Sequence, residues 1–380
     1  MIVDDVAEET VYGAAGRTGR RPVFFVCMDA DTLGGMQRVT HTVAHGLGLR
    51  GHRVTVIGLH RAAAPVGYVA EPAYVHRVLQ RSVLGRERAW ERRLARGRLR
   101  ALFGGVTGYV VMTSPGVAAW LDGLLPATMR GIGQYHGSFE HARACWHLGG
   151  ITRHYPELDK AVFLSEEDAG AFAAHALLPN AAHLANPLPH WPGRVSALAV
   201  PRLLGVGRLE GVKRFDRLID AFAAAARTVA ERWELHLIGE GAEKGRLRAH
   251  AAARGVGDRV VFRGRVPAAE LEREYLGSSL LGLTSEHEGF PLVLGEAAAH
   301  GVPAVAFDVS GGVRALIRDG VTGVLVPPGD VGAFGAVLAG LMADPSGRRR
   351  LGAAARTDVA RLRLDRILDH WELLFAEIER

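Results

Sequence analysis

Residues 285–301 read SEHEGFPLVLGEAAAHG. Two carboxylates, Glu288 and Glu296, stand eight residues apart around a Gly-Phe-Pro turn. Pro291 suits the first turn of a helix and Gly301 suits its C-terminal stop. The stretch therefore predicts a turn running into a helix, with one acid ahead of it and one two turns inside. The amides of Gly289, Phe290 and Leu292 would have no intrahelical acceptor and would form an anion site. Eight helical residues rise about 12 Å, the span of a sugar, a diphosphate and a ribose. From spacing alone, two surface acids remain the simpler account.

The surroundings decide which fold carries this turn. From residue 22 onward, short apolar runs alternate with helical stretches, the pattern of parallel sheets with crossover helices. In the first half VFFVCMD (23–29), RVTVIGL (53–59), YVVMT (109–113), GIGQYH (131–136) and KAVFLS (160–165) read as strands. Helices are expected from Met36 to Arg50 and after Ser165, whose hydroxyl forms a capping pair with Asp168. Residues 186–201 carry four prolines and no helical period, as a linker does. The alternation then restarts with RLLGVG (202–207), ELHLIG (234–239), RVVFRG (259–264), LLGLTS (280–285), PAVAFD (303–308) and GVLVP (323–327). Helices are expected from Phe215 and from Ala242. The expected architecture is α/β, two doubly wound sheets facing across a cleft, and ligands of such sheets sit beyond the carboxyl ends of the strands. The expected divisions are a loose tail over 1–20, a first domain over 21–188, a linker over 189–200, a second domain over 201–356, and a final helix over about 357–379 that packs across either domain.

Charge and cysteine content narrow the class. The formal charge of +6 is local: residues 77–100 hold nine Arg and two Glu, a net of +7, so the remainder sums to −1. That marks one basic patch and argues against a nucleic-acid-binding protein. Only Lys160, Lys213 and Lys244 are lysines among 46 basic residues, so a lysine inside a motif carries weight. No apolar run approaches the roughly 20 residues that cross a bilayer, and the acidic N-terminus is not a secretory signal. Cys27 lies in an apolar run as a core residue, and Cys27 and Cys145 form no CxxC or Cys/His ligand set. A reducing cytoplasm is the compartment expected.

Besides the opening stretch, three loops follow strand ends. DADTLGGMQRVT places Gly34 and Gly35 at a helix start, where a backbone can approach a phosphate; alone, the pair is weak. GVGRLEGVKRF (205–215) has G-x-G-x-x-x-G spacing, not the dinucleotide fingerprint, and carries Arg208 and Lys213, two cations suited to a diphosphate. IGEGAEKGRL (238–247), with Gly239, is a glycine turn that can serve the turn alone.

In order along the chain, GGMQRV, QYHG, VGRLEGVKRFDRLIDAF, IGEG and SEHEGFPLVLGEAAAHGVPAVAFD resemble glycosyltransferase family 4, the retaining GT-B enzymes with an E-x7-E motif. The resemblance runs from about residue 22 to 345 and is most specific in the second half. It implies an N-terminal domain mainly for the acceptor and a C-terminal domain for a nucleotide sugar. It implies that Arg208 and Lys213 bind the donor diphosphate, that Glu288 and Glu296 are the two motif acids, and that Gly35 touches the distal phosphate. It also implies that His136, in QYHG, lies near the transferred sugar; without it, a packed strand-end histidine is the plainer reading. Base recognition is expected largely through backbone near Arg263 and Gly264. Protein cations take the place of a metal-binding DxD, and no cofactor is called for beyond the nucleoside-diphosphate sugar.

The acceptor is less constrained. The basic stretch Arg77–Arg100 suits an anionic polymer, a lipid head group or the cytoplasmic face of a membrane, and equally a solvated face in an Arg-rich protein. GQYHGSFEHARACWHL is faintly similar to bacterial enzymes that glycosylate envelope polymers; a small natural product is an alternative acceptor. Of the other classes, a nicotinamide oxidoreductase is disfavoured because the acid closing ELHLIG, Glu240, is too far from the glycine loop. A non-catalytic nucleotide-sugar-binding protein would use the same binding residues.

Overall fold

The computed structural model describes residues 20–380, so the expected tail lies, apart from Arg20, outside the described residues. Two parallel sheets are present. The first orders its strands β3-β2-β1-β4-β5-β6-β7. These are β1 (Val23–Asp29), β2 (Val54–His60), β3 (Val75–Val78), β4 (Gly108–Met112), β5 (Met129–Gln134), β6 (Lys160–Phe163) and β7 (Ala181–His183). The second orders them β10-β9-β8-β11-β12-β13, made of β8 (Arg202–Val206), β9 (Glu234–Ile238), β10 (Val260–Gly264), β11 (Leu280–Leu283), β12 (Ala304–Phe307) and β13 (Gly323–Val326). The central strands are apolar on both faces because helices cover both: every residue of β2, β4 and β11 is buried. Sequence reading missed β3 and β7. Both are short edge strands, and β3 (VHRV) is exposed throughout, so neither carries an apolar run.

In each sheet the chain order reverses beside the first strand, between β1 and β4 and between β8 and β11. Crevices open at such reversals. The loops after β1, β8 and β11 are the ones carrying Gly34–Gly35, Lys213 and Glu288, so topology alone brings them to the cleft.

Residues 184–201 form no helix or strand. They are nonetheless anchored: Leu188 N donates to Leu362 O at 2.8 Å and Ser196 N to His300 O at 2.8 Å. The single final helix expected over 357–379 is two, Pro345–Val359 and Leu364–Ile378, separated by a 3-10 turn at Ala360–Leu362. The break redirects the last helix onto the first domain. Trp371 meets Phe25 edge-on, Phe375 stacks on Tyr109, and Lys160 Nζ reaches Glu377 at 3.0 Å. One apolar core therefore runs through both domains, from Val23 and Val43 through Leu188 to Phe290, Leu294 and Trp371. No described helix is long and apolar enough to cross a membrane.

Candidate functional site

The helix behind the opening stretch runs Leu292–Ala299, with Pro291 as its N-cap and not inside its first turn. Glu296 is thus its fifth residue, and Glu288 lies four residues ahead of it. Four of the residues from Glu288 to Glu296 belong to the turn, so the rise of eight helical residues, about 12 Å, is not the measure of their separation. Gly301 ends the helix at φ +71°. The Val302 amide donates to Ala297 O and the Gly301 amide to Ala298 O, both at 2.9 Å, a Schellman closure that a left-handed glycine allows. At the other end, the Gly289, Phe290 and Leu292 amides make no hydrogen bond to another described residue.

Each acid already has partners. Lys213 Nζ donates to Glu288 Oε1 at 2.7 Å, and the two side chains are 22% and 9% exposed. The stem of Lys213 passes over Gly207, where a Cβ would sit 3.5 Å from it. Glu296 accepts from the buried Tyr275 hydroxyl at 2.8 Å through Oε2, and its Oε1 pairs with Arg38. Burial, with Glu296 beside it, holds the Tyr275 phenol well above its ordinary pKa, so it remains a donor. Arg38 belongs to the other domain. It lies on the helix Gly35–Leu49, about one turn behind the glycine pair, so Arg38–Glu296 spans the cleft.

The glycine loop opens the helix that carries Arg38. Gly34 is the N-cap in extended backbone and no side chain caps the helix, whose first turn holds no acid. A Cβ on Gly35 would meet nothing within 4 Å. Open space beside uncapped amides is what an approaching phosphate needs. Tyr68 steadies the loop, accepting from Gly34 N at 2.8 Å and donating to Thr32 O at 2.6 Å.

The two domains touch at the Gly289 backbone. A Cβ there would stand 1.9 Å from His136 O and 3.0 Å from Gly137 Cα, and a Cβ on Gly312 would stand 1.6 Å from Gly289 O. Only glycine fits this approach. His136 lies just beyond β5, and neither ring nitrogen has a hydrogen-bond partner. Burial lowers its pKa from 6.5 to about 4, so the ring is neutral at pH 7. Phe290 is buried in the shared core. Beyond it, a cavity of about 610 Å³ opens between the domains, lined by Ser165, Glu167, His183, Gly311 and Arg314 among others. Arg314 crosses the interface there, paired to Glu140 at 3.3 Å and to Glu167 at 2.5 Å.

Three other expected site residues are each held by a partner or by packing. Arg208 is largely exposed and paired to Glu210 at 3.0 Å. Arg263 is held by Glu274 at 2.7 Å. Gly239, at φ +141°, is needed for packing, since a Cβ would lie 1.8 Å from Gly207 O. Sequence reading missed Arg38, Tyr275 and the brace under the lysine loop. In that brace Arg214, at φ +47°, clasps Asp216 (2.9 Å) and Glu286 (2.5 Å), while the Glu286 amide donates to Val212 O at 2.9 Å. A non-glycine residue in left-handed backbone stores strain that surrounding contacts must hold. Only Arg38 left a trace in the sequence, as the arginine of GGMQRV.

The expectation that the cysteines join no Cys/His set fails for Cys145. His141, Cys145 and His147 place ligand atoms within 4.8 Å of one another. Cys27 is fully buried, and burial raises its thiol pKa to about 11.

Two facing parallel sheets with a cleft at both reversal points define the class as the GT-B fold. Residues 197–358 match the family model described as "Glycosyl transferases group 1". The chain is 33% identical over 283 residues to an exopolysaccharide phosphotransferase of Streptomyces coelicolor, covering 72% of this chain and 29% of that protein. It is 37% identical over 135 residues to the lipopolysaccharide 1,6-galactosyltransferase of Salmonella typhimurium, covering 34% of this chain and 36% of that one. The solved apo form of the lipopolysaccharide outer core galactosyltransferase WaaB superposes with a TM-score of 0.74 at 20% identity, covering 94% of this chain and 99% of that one. The alignments thus span about a third of the length of these two curated relatives.

Proposed function

We propose that this protein is a retaining glycosyltransferase of the family 4 type. It moves a hexosyl unit from a nucleoside-diphosphate sugar (UDP-glucose, UDP-N-acetylglucosamine or GDP-mannose) to a hydroxyl of a cell-envelope polymer or lipid. One observation carries the reading: Lys213, Glu288 and the free amides of Gly289, Phe290 and Leu292 gather on one side of a cleft that Arg38 bridges from the glycine-loop helix, whose start is open at Gly35. The group 1 match over the second domain and the envelope-polymer names of the relatives support it.

The chemistry follows from charge. Breaking a sugar–phosphate bond builds negative charge on the leaving diphosphate and positive charge on the anomeric carbon. Lys213 and the two uncapped helix starts stabilise the first, a preorganised contribution worth roughly 3 kcal/mol per donor; Arg208 joins by leaving Glu210. The acceptor attacks from the face of departure, and the leaving phosphate takes its proton, which retains configuration. Glu288 positions the sugar hydroxyls, Glu296 holds the ribose, and neutral His136 lies at the transferred sugar. Protein cations do the neutralising, so the transfer is metal-independent. The basic helix Ala89–Phe103, with Trp90 and Leu94 exposed among arginines, rests on anionic head groups at the cytoplasmic face. Incubation with each nucleotide sugar, with and without envelope extract, is the test: acceptor-dependent release of nucleoside diphosphate is expected. Tight donor binding without release would leave a binding protein instead. Unchanged turnover in Glu288→Gln, or a glycosyl adduct on Glu288, would overturn its assigned role.

A further inference from the structure

After β5 the chain makes a short helix, Phe139–Arg143, breaks, and begins another at His147. In one continuous helix, residues six apart point about 120° away from each other. The break instead folds His141, Cys145 and His147 together, with ligand atoms within 4.8 Å. His147 Nδ1 is engaged by the Tyr135 hydroxyl at 2.9 Å, which orients the ring and leaves Nε2 free, the outer-shell arrangement of metal-bound imidazoles. His141 Nδ1 is shielded from solvent and has no hydrogen-bond partner. A further imidazole faces His141 from the second domain. His287, beside Glu288 on the facing domain, has its ring 5.3 Å from that of His141, centroid to centroid.

From this geometry we infer that His141, Cys145 and His147 form a site for a divalent metal of the zinc type, with His287 as the fourth ligand from across the cleft. One thiolate with imidazoles selects zinc or cobalt over magnesium and calcium. Zinc bonds of about 2.1 Å to nitrogen and 2.3 Å to sulfur set tetrahedral ligand atoms roughly 3.3–3.8 Å apart, so shifts of about 1 Å bring His141, Cys145 and His147 onto the ion, and His287 swings in from outside that set. The ion takes no part in sugar transfer. It ties the loop bearing Glu288 to the first domain, and the inference stands whatever the substrate.

The reduced, metal-free full chain is titrated with cobalt(II), then with zinc. One equivalent of cobalt should produce a thiolate-to-cobalt charge-transfer band and the strong visible bands of a tetrahedral ion, both removed by zinc. Cys145→Ser should lose the charge-transfer band while keeping the wild-type circular dichroism. Should that variant fail to fold, His141→Gln should show the same loss of binding. Cys27→Ala should keep every band, and His287→Ala should keep the charge-transfer band but change the visible ones. No saturable charge-transfer band in the wild type, or its survival in Cys145→Ser, overturns the site. Identical visible spectra in His287→Ala remove the fourth ligand.

Discussion

Replacing Lys213 by Met keeps the stem over Gly207 and deletes only the charge that meets Glu288 at 2.7 Å. With an effective dielectric of about 20, the gross attraction at that distance is about 6 kcal/mol. Desolvation of a mostly buried carboxylate and screening of a partly exposed ammonium offset most of it, leaving a net coupling of about 1–2 kcal/mol. Lys213→Met should therefore destabilise the ligand-free protein, and adding Glu288→Gln should restore about that much, because the carboxylate no longer lacks a cation. Urea melts of both single variants and the double variant measure the coupling. Donor turnover should respond differently. Loss of a diphosphate-facing cation lowers kcat/KM about 100-fold, near 3 kcal/mol, and Glu288→Gln should not rescue it. A coupling below about 0.3 kcal/mol together with unchanged donor turnover would refute the reasoning.

Arg38→Ala removes a tie between the domains and leaves Glu296 held by Tyr275 alone; donor KM should rise about tenfold, and small-angle scattering should report a more open shape. If neither moves, the cross-cleft pair has no role in closure. His136, neutral because burial lowers its pKa to about 4, must charge on unfolding in acid. Its stabilising effect is complete above pH 6.5 and is lost as the pH falls through about 4, some 3 kcal/mol at most. His136→Asn should flatten that decline between pH 6.5 and 4 in chemical melts. Gly289→Ala places a methyl against His136 O and should cost about 1–3 kcal/mol in stability while abolishing transfer. Arg86→Gln with Arg93→Gln, on the exposed basic surface, should weaken co-sedimentation with anionic vesicles; Arg96 is a poor choice because it already binds Trp120 O at 2.8 Å.

The periodicity of the chain was enough to specify two doubly wound sheets, because strands covered on both faces must be written in unbroken apolar runs such as VFFVCMD. The loops that follow the central strands were legible for the same reason: their glycines and charges punctuate those runs. The short first-sheet edge strands β3 and β7, VHRV and AAH, left no such mark, and the break at Ala360–Leu362 carries neither glycine nor proline. Only tertiary structure could decide that Arg38 pairs with Glu296, that Gly289 lies against His136, and that Cys145 joins two histidines. Those contacts depend on how two domains close and how a helix breaks, and such long-range geometry is set by packing of the whole chain, not by the spacing of its residues.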